Sequence, residues 1–549
     1  MKARKKKVIF GMIVIASFAL YSFKTDLFEI TKNLEVFNSL YRELNIAYVE
    51  DTDPGELMTV GIDAMLKSLD PYTQYIPESR MEDFRFLTTG QYGGIGSLIR
   101  NVDGKVVIAE PYEGFPAMKA GLMAGDVIYK VDDKLIEGMS QEDITTVLKG
   151  ESGTEVNIIV IRPGENDTLL FNLQREVIKV PDVPYFSILE DSTAYIKLNS
   201  FTQTAYKEVY TSYKSLQKEG MNKLILDLRG NGGGLLRESI NIVNMFVQKG
   251  ELIVETKGKN PNWDKKYKAL SEPIDLNNPL IILVDGGSAS ASEIVSGSLQ
   301  DFDRAIILGD TTYGKGLVQQ TRELDYNAKL KVTVAKYYIP SGRSIQKLNY
   351  SHRNSKGKVE EVPDSLLQRY YTRNHRPVIN GRGIIPDVEV QLPEFSKIAF
   401  ALYTKNYIFN YATLYHFEHD SIDAAGSFTL SNSDYENFKS WLSEQDFSYN
   451  TDTEDYYEEL IQASKDEYYY DEVESDLLGI KELIEEHKKG DLDKYKVEII
   501  ELLNNEVVSR YYYQNGRIEN VLASDPYIIK AMETFSLSEY NKILGETSN

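Results

Sequence analysis

The chain has 549 residues, enough for about three or four domains at roughly 150 residues each. Its 83 acidic residues exceed its 61 basic ones, and the net charge of −22 argues against nucleic acid as a partner, because phosphate binding needs concentrated Lys and Arg. The chain has no cysteine, which excludes disulfides, thiolate catalysis, iron–sulfur clusters and cysteine-bound zinc.

The first 25 residues predict a targeting or anchoring segment. Five basic residues lie among the first seven, and an uncharged run of 16 residues, 8–23, follows them. This run is long for a signal-peptide core and short for a spanning helix, which needs about 20 residues. Since no A-x-A cleavage site follows, we interpret residues 1–25 as an uncleaved inner-membrane anchor, with a cleaved signal sequence or a buried helix as alternatives. The first two interpretations place the remaining chain in the cell envelope, periplasmic or otherwise extracytoplasmic.

Residues 26–90 predict a helical segment. Apolar residues such as Val60 and Ala64 have helical spacing, and Asp53–Gly55 interrupt the pattern. We expect these helices to form a structural cap without chemistry of their own.

Residues 91–178 change to short β-patterned runs separated by glycine turns. The loop Gly93–Gly96 and the stretch KAGLMAGDVIYKVDDKLI resemble a PDZ domain. The resemblance implies that an extended peptide is added to a sheet edge, and that backbone N–H groups hold its C-terminal carboxylate. The predicted peptide-binding residues are Gly94, Ile95 and Gly96.

Strands and helices alternate from Tyr195 onward. Two apolar runs, KLILDL and LIILVD, are each followed by a glycine-rich turn and a helical pattern. Such alternation predicts a largely parallel sheet in a layered α/β domain, with functional sites at the carboxyl ends of the strands. The turns Gly230–Gly234 and Gly286–Ser290 follow such ends, so we expect the catalytic groups there.

Two glycine motifs resemble nucleotide-binding motifs, but each departs from the required pattern at one position. Gly309–Gly316 matches a phosphate-binding P-loop except at its last position, where Gly316 lacks the hydroxyl that would bind Mg²⁺. The turn Gly230–Gly234 does not fit the dinucleotide fingerprint, because Leu235 stands where the third glycine is required. The turn remains a source of unobstructed N–H donors for an oxyanion hole. We therefore expect no nucleotide, metal or other cofactor.

Three serines, Ser288, Ser290 and Ser292, follow the run LIILVD and open a helix. A serine there lies beside the N–H groups of the helix N-terminus, which stabilise a developing anion. Helix capping is the competing interpretation, because Ser290 and Glu293 have the spacing of a capping box. Spacing alone does not choose among the three serines.

A catalytic serine needs a base, and all five histidines lie outside these motifs. Lys315 lies between two glycines near the end of an apolar strand. A lysine serves as a base when burial lowers its pKa enough to leave it neutral. Gln319, four residues further on, returns to roughly the same face and is a candidate to orient Lys315.

Six motifs follow one another along the chain: LDPYTQYI, DLRGNGGG, VDGGSASASEIVSGSLQD, GDTTYGKGLVQ, YYIPSGRSIQ and GIIPDVEV. In this order they resemble those of the carboxyl-terminal processing proteases of peptidase family S41, which use a Ser–Lys dyad, and the resemblance covers about residues 30–395. The resemblance implies an α/β peptidase core of the crotonase and ClpP type over residues 179–394. The implied catalytic residues are Ser290 as nucleophile, Lys315 as base and Gln319 as its support. The implied oxyanion donors are backbone N–H groups of Gly232 or Gly233 and of Ala291.

Residues 395–549 predict a helical domain that is acidic and rich in tyrosine. His416 and His419 have the spacing of a metal-binding pair but lack a clear third ligand, which indicates ordinary surface residues. We interpret this domain as an interaction or scaffold domain, a surface for self-association or for an adaptor.

These patterns predict a multidomain protein of α/β and β class: an N-terminal helical segment, a PDZ-like domain, a peptidase core and a helical C-terminal domain. The predicted function is that of a membrane-anchored serine endopeptidase, which captures protein or peptide C-termini through the PDZ-like domain and cleaves the chain with its dyad. The alternative is a PDZ scaffold or adaptor of the cell envelope with an inactive core.

Overall fold

The computed structural model describes residues 27–354, 356–392 and 394–545. The predicted anchor over residues 1–25 lies outside this part of the chain. Across the described ranges, no helix is both long and apolar enough to span a bilayer. The chain divides into two compact units, which are described separately.

The first unit comprises the described residues up to Tyr75 together with Thr321–Val332. Its helices span residues 27–47 and Pro54–Lys67. The second of these helices begins at Pro54 because the Asp53 carboxylate accepts the N–H of Glu56 at 2.9 Å. The predicted interruption of the helical pattern is therefore a capped helix start.

The second unit comprises Ile76–Gln320 and the residues from Thr333 onward. After the helix Met81–Thr89, an antiparallel sheet and two helices, Pro116–Lys119 and Gln141–Leu148, form the predicted PDZ domain. Its strands are Ser97–Val102, Lys105–Pro111, Val127–Val131, Lys134–Leu135, Glu155–Ile161 and Leu169–Gln174. A separate ladder pairs Gln91–Gly94 with Glu176–Lys179 at the two ends of the domain.

A six-stranded sheet lies at the centre of the predicted peptidase core. All of its strand pairs are parallel except the first, which is antiparallel. In sheet order the strands are Tyr185–Ile188, Thr193–Lys197, Lys223–Asp227, Leu280–Val284, Ile306–Gly309 and Val388–Glu389. Because the strands Lys223–Asp227 and Leu280–Val284 are parallel neighbours, their two glycine-rich turns begin at the same sheet edge, which confirms the predicted α/β arrangement.

Both faces of the central sheet are covered, which explains why its strands are continuous apolar runs. Leu224 and Leu226 belong to one apolar cluster, whereas Ile225 belongs to the cluster on the opposite face. The first face packs against three helices, Ala205–Lys218, Leu236–Asn244 and Ala291–Asp301. The second face packs against the C-terminal helices Pro526–Thr534 and Leu537–Ile543.

Further strands surround this core. A second sheet includes Leu252–Gly258, Lys265–Lys268, Leu317–Glu323 and Lys329–Tyr338. Two small antiparallel pairs follow, Leu348–Arg353 with Val359–Glu361 and Arg369–Tyr371 with Pro377–Ile379. Short 3₁₀ turns lie at Glu78–Arg80, Glu190–Ser192, Pro261–Trp263 and Asp364–Leu366.

The C-terminal part is helical, as predicted, and its tyrosines build an aromatic core. The hydroxyl of Tyr435 donates to the Leu492 carbonyl at 2.6 Å, and that of Tyr411 to the Asp434 carbonyl at 3.0 Å, so the buried rings keep hydrogen bonds. The helices before the last two are Lys397–Thr404, Tyr407–Glu418, Asn432–Ser443, Asp452–Asp466, Tyr470–Lys488, Asp491–Lys494 and Lys496–Leu522.

Candidate active site

The three predicted serines have different surroundings. Ser288 and Ser292 are fully buried, and their hydroxyls donate to the backbone carbonyls of Leu228 and Asn231, both at 2.8 Å. Ser290 is half-buried at the turn between strand and helix. The outer two serines therefore tie this turn to the neighbouring glycine-rich turn, and Ser290 is the one of the three that solvent reaches.

The backbone of Ser290 is strained. Its φ of 57° and ψ of −108° lie in a region that is costly for any residue with a side chain, whereas an N-cap residue is normally extended. Nucleophilic serines occupy such strained strand-to-helix turns in other hydrolases. The N–H of Ser290 donates to the Glu293 carboxylate at 2.7 Å, and the turn has the capping box that the spacing predicts. Capping and catalysis are therefore compatible at this turn.

The Glu293 carboxylate joins the serine turn to the lysine loop. One of its oxygens, Oε2, accepts both the Ser290 N–H, at 2.7 Å, and the Lys315 N–H, at 2.9 Å. The other, Oε1, accepts the Gly314 N–H at 2.7 Å and the Thr312 hydroxyl at 2.6 Å. Glu293 is fully buried, and burial raises the pKa of its carboxyl although these four donors oppose the change.

A second bridge joins the same two backbones. The hydroxyl of Tyr337 donates to the Lys315 carbonyl at 2.7 Å and lies 3.2 Å from the Ser290 carbonyl oxygen. The backbones of Ser290 and Lys315 are thus held from two sides, by a carboxylate and by a phenol. Sequence reasoning missed both bridges: Glu293 appeared there as a capping residue, and Tyr337 appeared only as the first residue of the motif YYIPSGRSIQ, without a role of its own.

The glycines around Lys315 have a packing role. Gly314 has a φ of 86°, and a Cβ there would overlap the side chain of Lys347. A Cβ at Gly316 would lie 2.9 Å from the backbone nitrogen of Gln346, whose side chain also accepts the Gly316 N–H at 2.8 Å. The loop needs glycine because it packs closely against residues 346–347. Lys315 itself is half-buried.

Gln319 lies in the strand Leu317–Glu323, which follows the lysine loop. Its side-chain amide donates to the Thr333 hydroxyl of the neighbouring strand at 3.2 Å. This contact fixes the position of the Gln319 side chain between the two strands, and its role in orienting Lys315 stays a prediction.

The turn Gly230–Gly234 lies directly against the serine turn. A Cβ added at Gly233 would be 2.8 Å from the Ser290 Cβ and 2.9 Å from the Ala291 nitrogen, and φ at Gly233 is 97°. The Gly233 N–H donates to Asn231 Oδ1 at 2.9 Å, so that donor is already engaged. The N–H groups of Gly232 and Ala291 have no acceptor within the described residues. Of the two predicted glycine donors, Gly232 is the one left for an oxyanion.

The predicted carboxylate loop of the PDZ domain offers a second pair of unengaged donors. The carbonyls of Ile95 and Gly96 accept the N–H groups of Ala117 and Tyr112, each at 2.8 Å. Among the described residues, nothing accepts the N–H groups of Ile95 and Gly96 themselves. Gly94 ends the strand just before them.

An open strand edge adjoins this loop. The strand Ser97–Val102 pairs with Lys105–Pro111 on one side and with no described strand on the other. Gln141, at the start of the helix Gln141–Leu148, donates to the Ile99 carbonyl of this strand at 3.1 Å. The strand and the helix are therefore adjacent, and the open strand edge begins at the loop, which is the arrangement that peptide addition needs.

Comparison with known protein families assigns three segments of the chain. The model of peptidase family S41 matches residues 192–350, and that of the PDZ domain matches residues 93–173. A third family, described as the C-terminal helical domain of probable PDZ-proteases, matches residues 398–535.

The chain is also similar to individual proteins. The chain is 36% identical over 319 residues to a carboxy-terminal-processing protease of Bartonella bacilliformis, covering 57% of this chain and 73% of that protein. It is 30% identical over 371 residues to the carboxy-terminal processing protease CtpA of Bacillus subtilis, covering 67% and 72% respectively. Among solved structures, the photosystem II D1 C-terminal processing protease is 28% identical, with 65% of this chain and 92% of that chain covered and a TM-score of 0.35.

Proposed function

Because this chain belongs to the carboxy-terminal processing proteases of peptidase family S41, we propose that Ser290 and Lys315 form its catalytic dyad. The membership makes the chain a serine peptidase that hydrolyses peptide bonds. Hydrogen bonds join the serine turn, the lysine loop and the glycine turn. No contact among the described residues favours the alternative of an inactive PDZ scaffold.

The reaction begins with proton transfer from the Ser290 hydroxyl to the neutral amine of Lys315. The serine oxygen attacks the carbonyl carbon of the scissile bond, and the carbonyl oxygen becomes an oxyanion between the N–H groups of Gly232 and Ala291. The C–N bond then breaks, and Lys315 returns its proton to the departing amine. Lys315 then deprotonates a water molecule, which hydrolyses the acyl-enzyme. We assign Gln319 the task of orienting Lys315 during these transfers.

One observation carries this proposal. The strained, half-buried Ser290 shares the Glu293 carboxylate oxygen with the backbone of Lys315, beside two N–H groups that have no acceptor in the described chain. The test is labelling of the purified protein with a fluorophosphonate probe, followed by mass spectrometry of its peptides. We expect a single phosphonylated residue, Ser290, and a label on Ser288 or Ser292 instead contradicts the assignment.

We also propose that the PDZ domain captures the C-terminus of the substrate. The free N–H groups of Ile95 and Gly96, together with Gly94, form a nest for the terminal carboxylate, and the edge strand Ser97–Val102 receives the extended peptide. Substrates are therefore proteins or peptides with an accessible C-terminus.

Capture should depend on the conformation of Gly96. Its φ is 73° and a Cβ would overlap Phe115, so we expect Gly96→Ala to weaken binding of a peptide with a free C-terminus by about tenfold or more. Fluorescence anisotropy with a labelled peptide measures this affinity. The same peptide with an amidated C-terminus should bind the wild type as weakly as the free-C-terminus peptide binds Gly96→Ala. Gly104→Ala is the matched control, because Gly104 also has a positive φ, 79°, but open space around its Cβ position. Equal binding by Gly96→Ala and the wild type contradicts the assignment.

The N-terminal pattern supports a place for this reaction. We propose that the protein acts in the cell envelope, outside the cytoplasm, and that residues 1–25 anchor it to the inner membrane, because five basic residues precede an uncharged run. Self-association or adaptor binding through residues 395–549 stays a prediction.

A further inference from the structure

Arg229, the residue just before the glycine turn, is held by a carboxylate from the far end of the chain. Its guanidinium donates to both oxygens of Asp525, from Nη1 at 3.1 Å and from Nη2 at 2.7 Å. Asp227, at the end of its own strand, receives a second pair of hydrogen bonds, from Nη2 at 2.7 Å and Nε at 3.0 Å. Residues 229 and 525 are 296 positions apart, and the matched peptidase segment ends at residue 350.

Several contacts keep this arrangement rigid. The Tyr527 ring lies under the Arg229 guanidinium, with 4.6 Å between the guanidinium carbon and the ring centroid. The Asp525 carboxylate also accepts the Tyr527 N–H at 2.8 Å and so caps the helix Pro526–Thr534. Burial alone would raise the pKa of Asp227, but Arg229 and Lys197 hold it at about 2, so Asp227 keeps its charge at neutral pH.

The same cluster fixes the start of the catalytic turn. The Arg229 carbonyl accepts Nζ of Lys197 at 2.8 Å, and the next N–H, that of Gly230, donates to the Asp285 carboxylate at 2.9 Å. The proposed oxyanion donor, the N–H of Gly232, follows two residues later. Because Arg229 is immobilised, the backbone segment that leads to Gly232 begins at a fixed position.

Tyr527 also lies close to the first glycine of the P-loop-like motif. A Cβ at Gly309 would lie 2.0 Å from the Val284 carbonyl oxygen and 3.0 Å from the Tyr527 ring, which packs over the end of the strand Ile306–Gly309. The helix that begins after Asp525 therefore lies against the carboxyl ends of two strands of the central sheet, Lys223–Asp227 and Ile306–Gly309, which flank the strand Leu280–Val284.

We infer that Asp525 is a positioning residue for catalysis: by clamping Arg229 from the C-terminal helices, it sets the backbone geometry of the turn that carries the Gly232 N–H. The catalytic machinery of this chain thus extends beyond its peptidase segment into the helical C-terminal part. The inference rests on the proposed dyad and oxyanion hole. The inference concerns the rate of the chemical step and not the capture of substrate, because Asp525 binds the residue before the glycine turn and not the PDZ domain.

The test is the Asp525→Asn variant of the full-length protein, which keeps the shape of the side chain but loses its charge. We expect kcat per active site, counted by fluorophosphonate titration, to fall roughly 10–100-fold while KM stays within about twofold, because a misplaced donor slows the reaction without changing substrate binding. Asp525→Glu, which retains the carboxylate, should recover most of the rate. Glu533→Gln is the matched control, since it removes an exposed carboxylate from the same helix.

A double-mutant cycle with Arg229→Lys separates positioning from general weakening of the fold. Lysine cannot bind Asp525 and Asp227 through paired N–H groups, so the double variant should be no slower than the slower single variant. The inference is overturned if Asp525→Asn keeps its kcat per titrated site. It is also overturned if the decreases of kcat in the two single variants multiply in the double variant. Such a result would leave the dyad untouched, because the labelling of Ser290 tests the dyad by itself.

Discussion

The Ser290→Ala variant is expected to lose peptide cleavage by at least about 10³-fold while it folds like the wild type. The change removes the attacking oxygen but keeps the backbone N–H that Glu293 holds, and Ser290 is only half-buried, so little stability is lost. Cleavage of an unfolded protein substrate, analysed by mass spectrometry, measures the activity. Thermal unfolding of both proteins shows whether the fold is retained.

Ser288→Ala and Ser292→Ala are the matched controls, since each removes one hydroxyl from the same turn. Both hydroxyls donate to buried carbonyls, so each loss should lower the free energy of unfolding by about 1–3 kcal/mol. At a temperature where they are folded, both variants should still react with the fluorophosphonate probe. Undiminished cleavage by purified Ser290→Ala protein would contradict the assignment of Ser290 as the nucleophile.

Lys315→Met should reduce kcat by about 10²–10⁴-fold, because the variant keeps an unbranched side chain up to the position of Cε but has no amine to accept the serine proton. The loop should keep its shape, since its contacts with Glu293 and Tyr337 come from the Lys315 backbone. Binding of a C-terminal peptide to the PDZ domain should be unchanged. Peptide cleavage and probe labelling should therefore fall together while peptide affinity does not.

Lys336→Met controls for the loss of a positive charge near the site. Lys336 is exposed and lies next to Tyr337 in the strand Lys329–Tyr338, so it shares the neighbourhood without joining the chemistry. We expect it to keep wild-type kcat. If Lys315→Met retains more than one tenth of the wild-type rate, another group accepts the proton and the dyad is wrong.

Much of the fold is readable from the chain because the signals are local. The run KLILDL alternates residues between two apolar clusters, and such continuous runs indicate a sheet covered on both faces. The helices predicted after both glycine turns are present as Leu236–Asn244 and Ala291–Asp301. The predicted fold class is confirmed by the PDZ, peptidase and helical-domain matches.

The candidate site was only partly readable. Spacing left Ser288, Ser290 and Ser292 equivalent, because all three belong to one short run and differ only in the contacts of their hydroxyls. Those contacts involve Leu228 and Asn231, about 60 residues earlier in the chain, as the separations of 60 and 61 positions show. No local pattern encodes them.

The sequence by itself determined the fold class, the two turns proposed to carry catalytic groups and the lysine loop, because glycine turns, apolar alternation and capping act over a few neighbouring residues. Only the tertiary structure decided that Gly233 is engaged while Gly232 is not, that Glu293 and Tyr337 join the serine and lysine backbones, and that Asp525 clamps Arg229. The reason is physical: a buried carboxylate or phenol takes its partners from whatever the packed strands bring within hydrogen-bond distance, regardless of their separation along the chain.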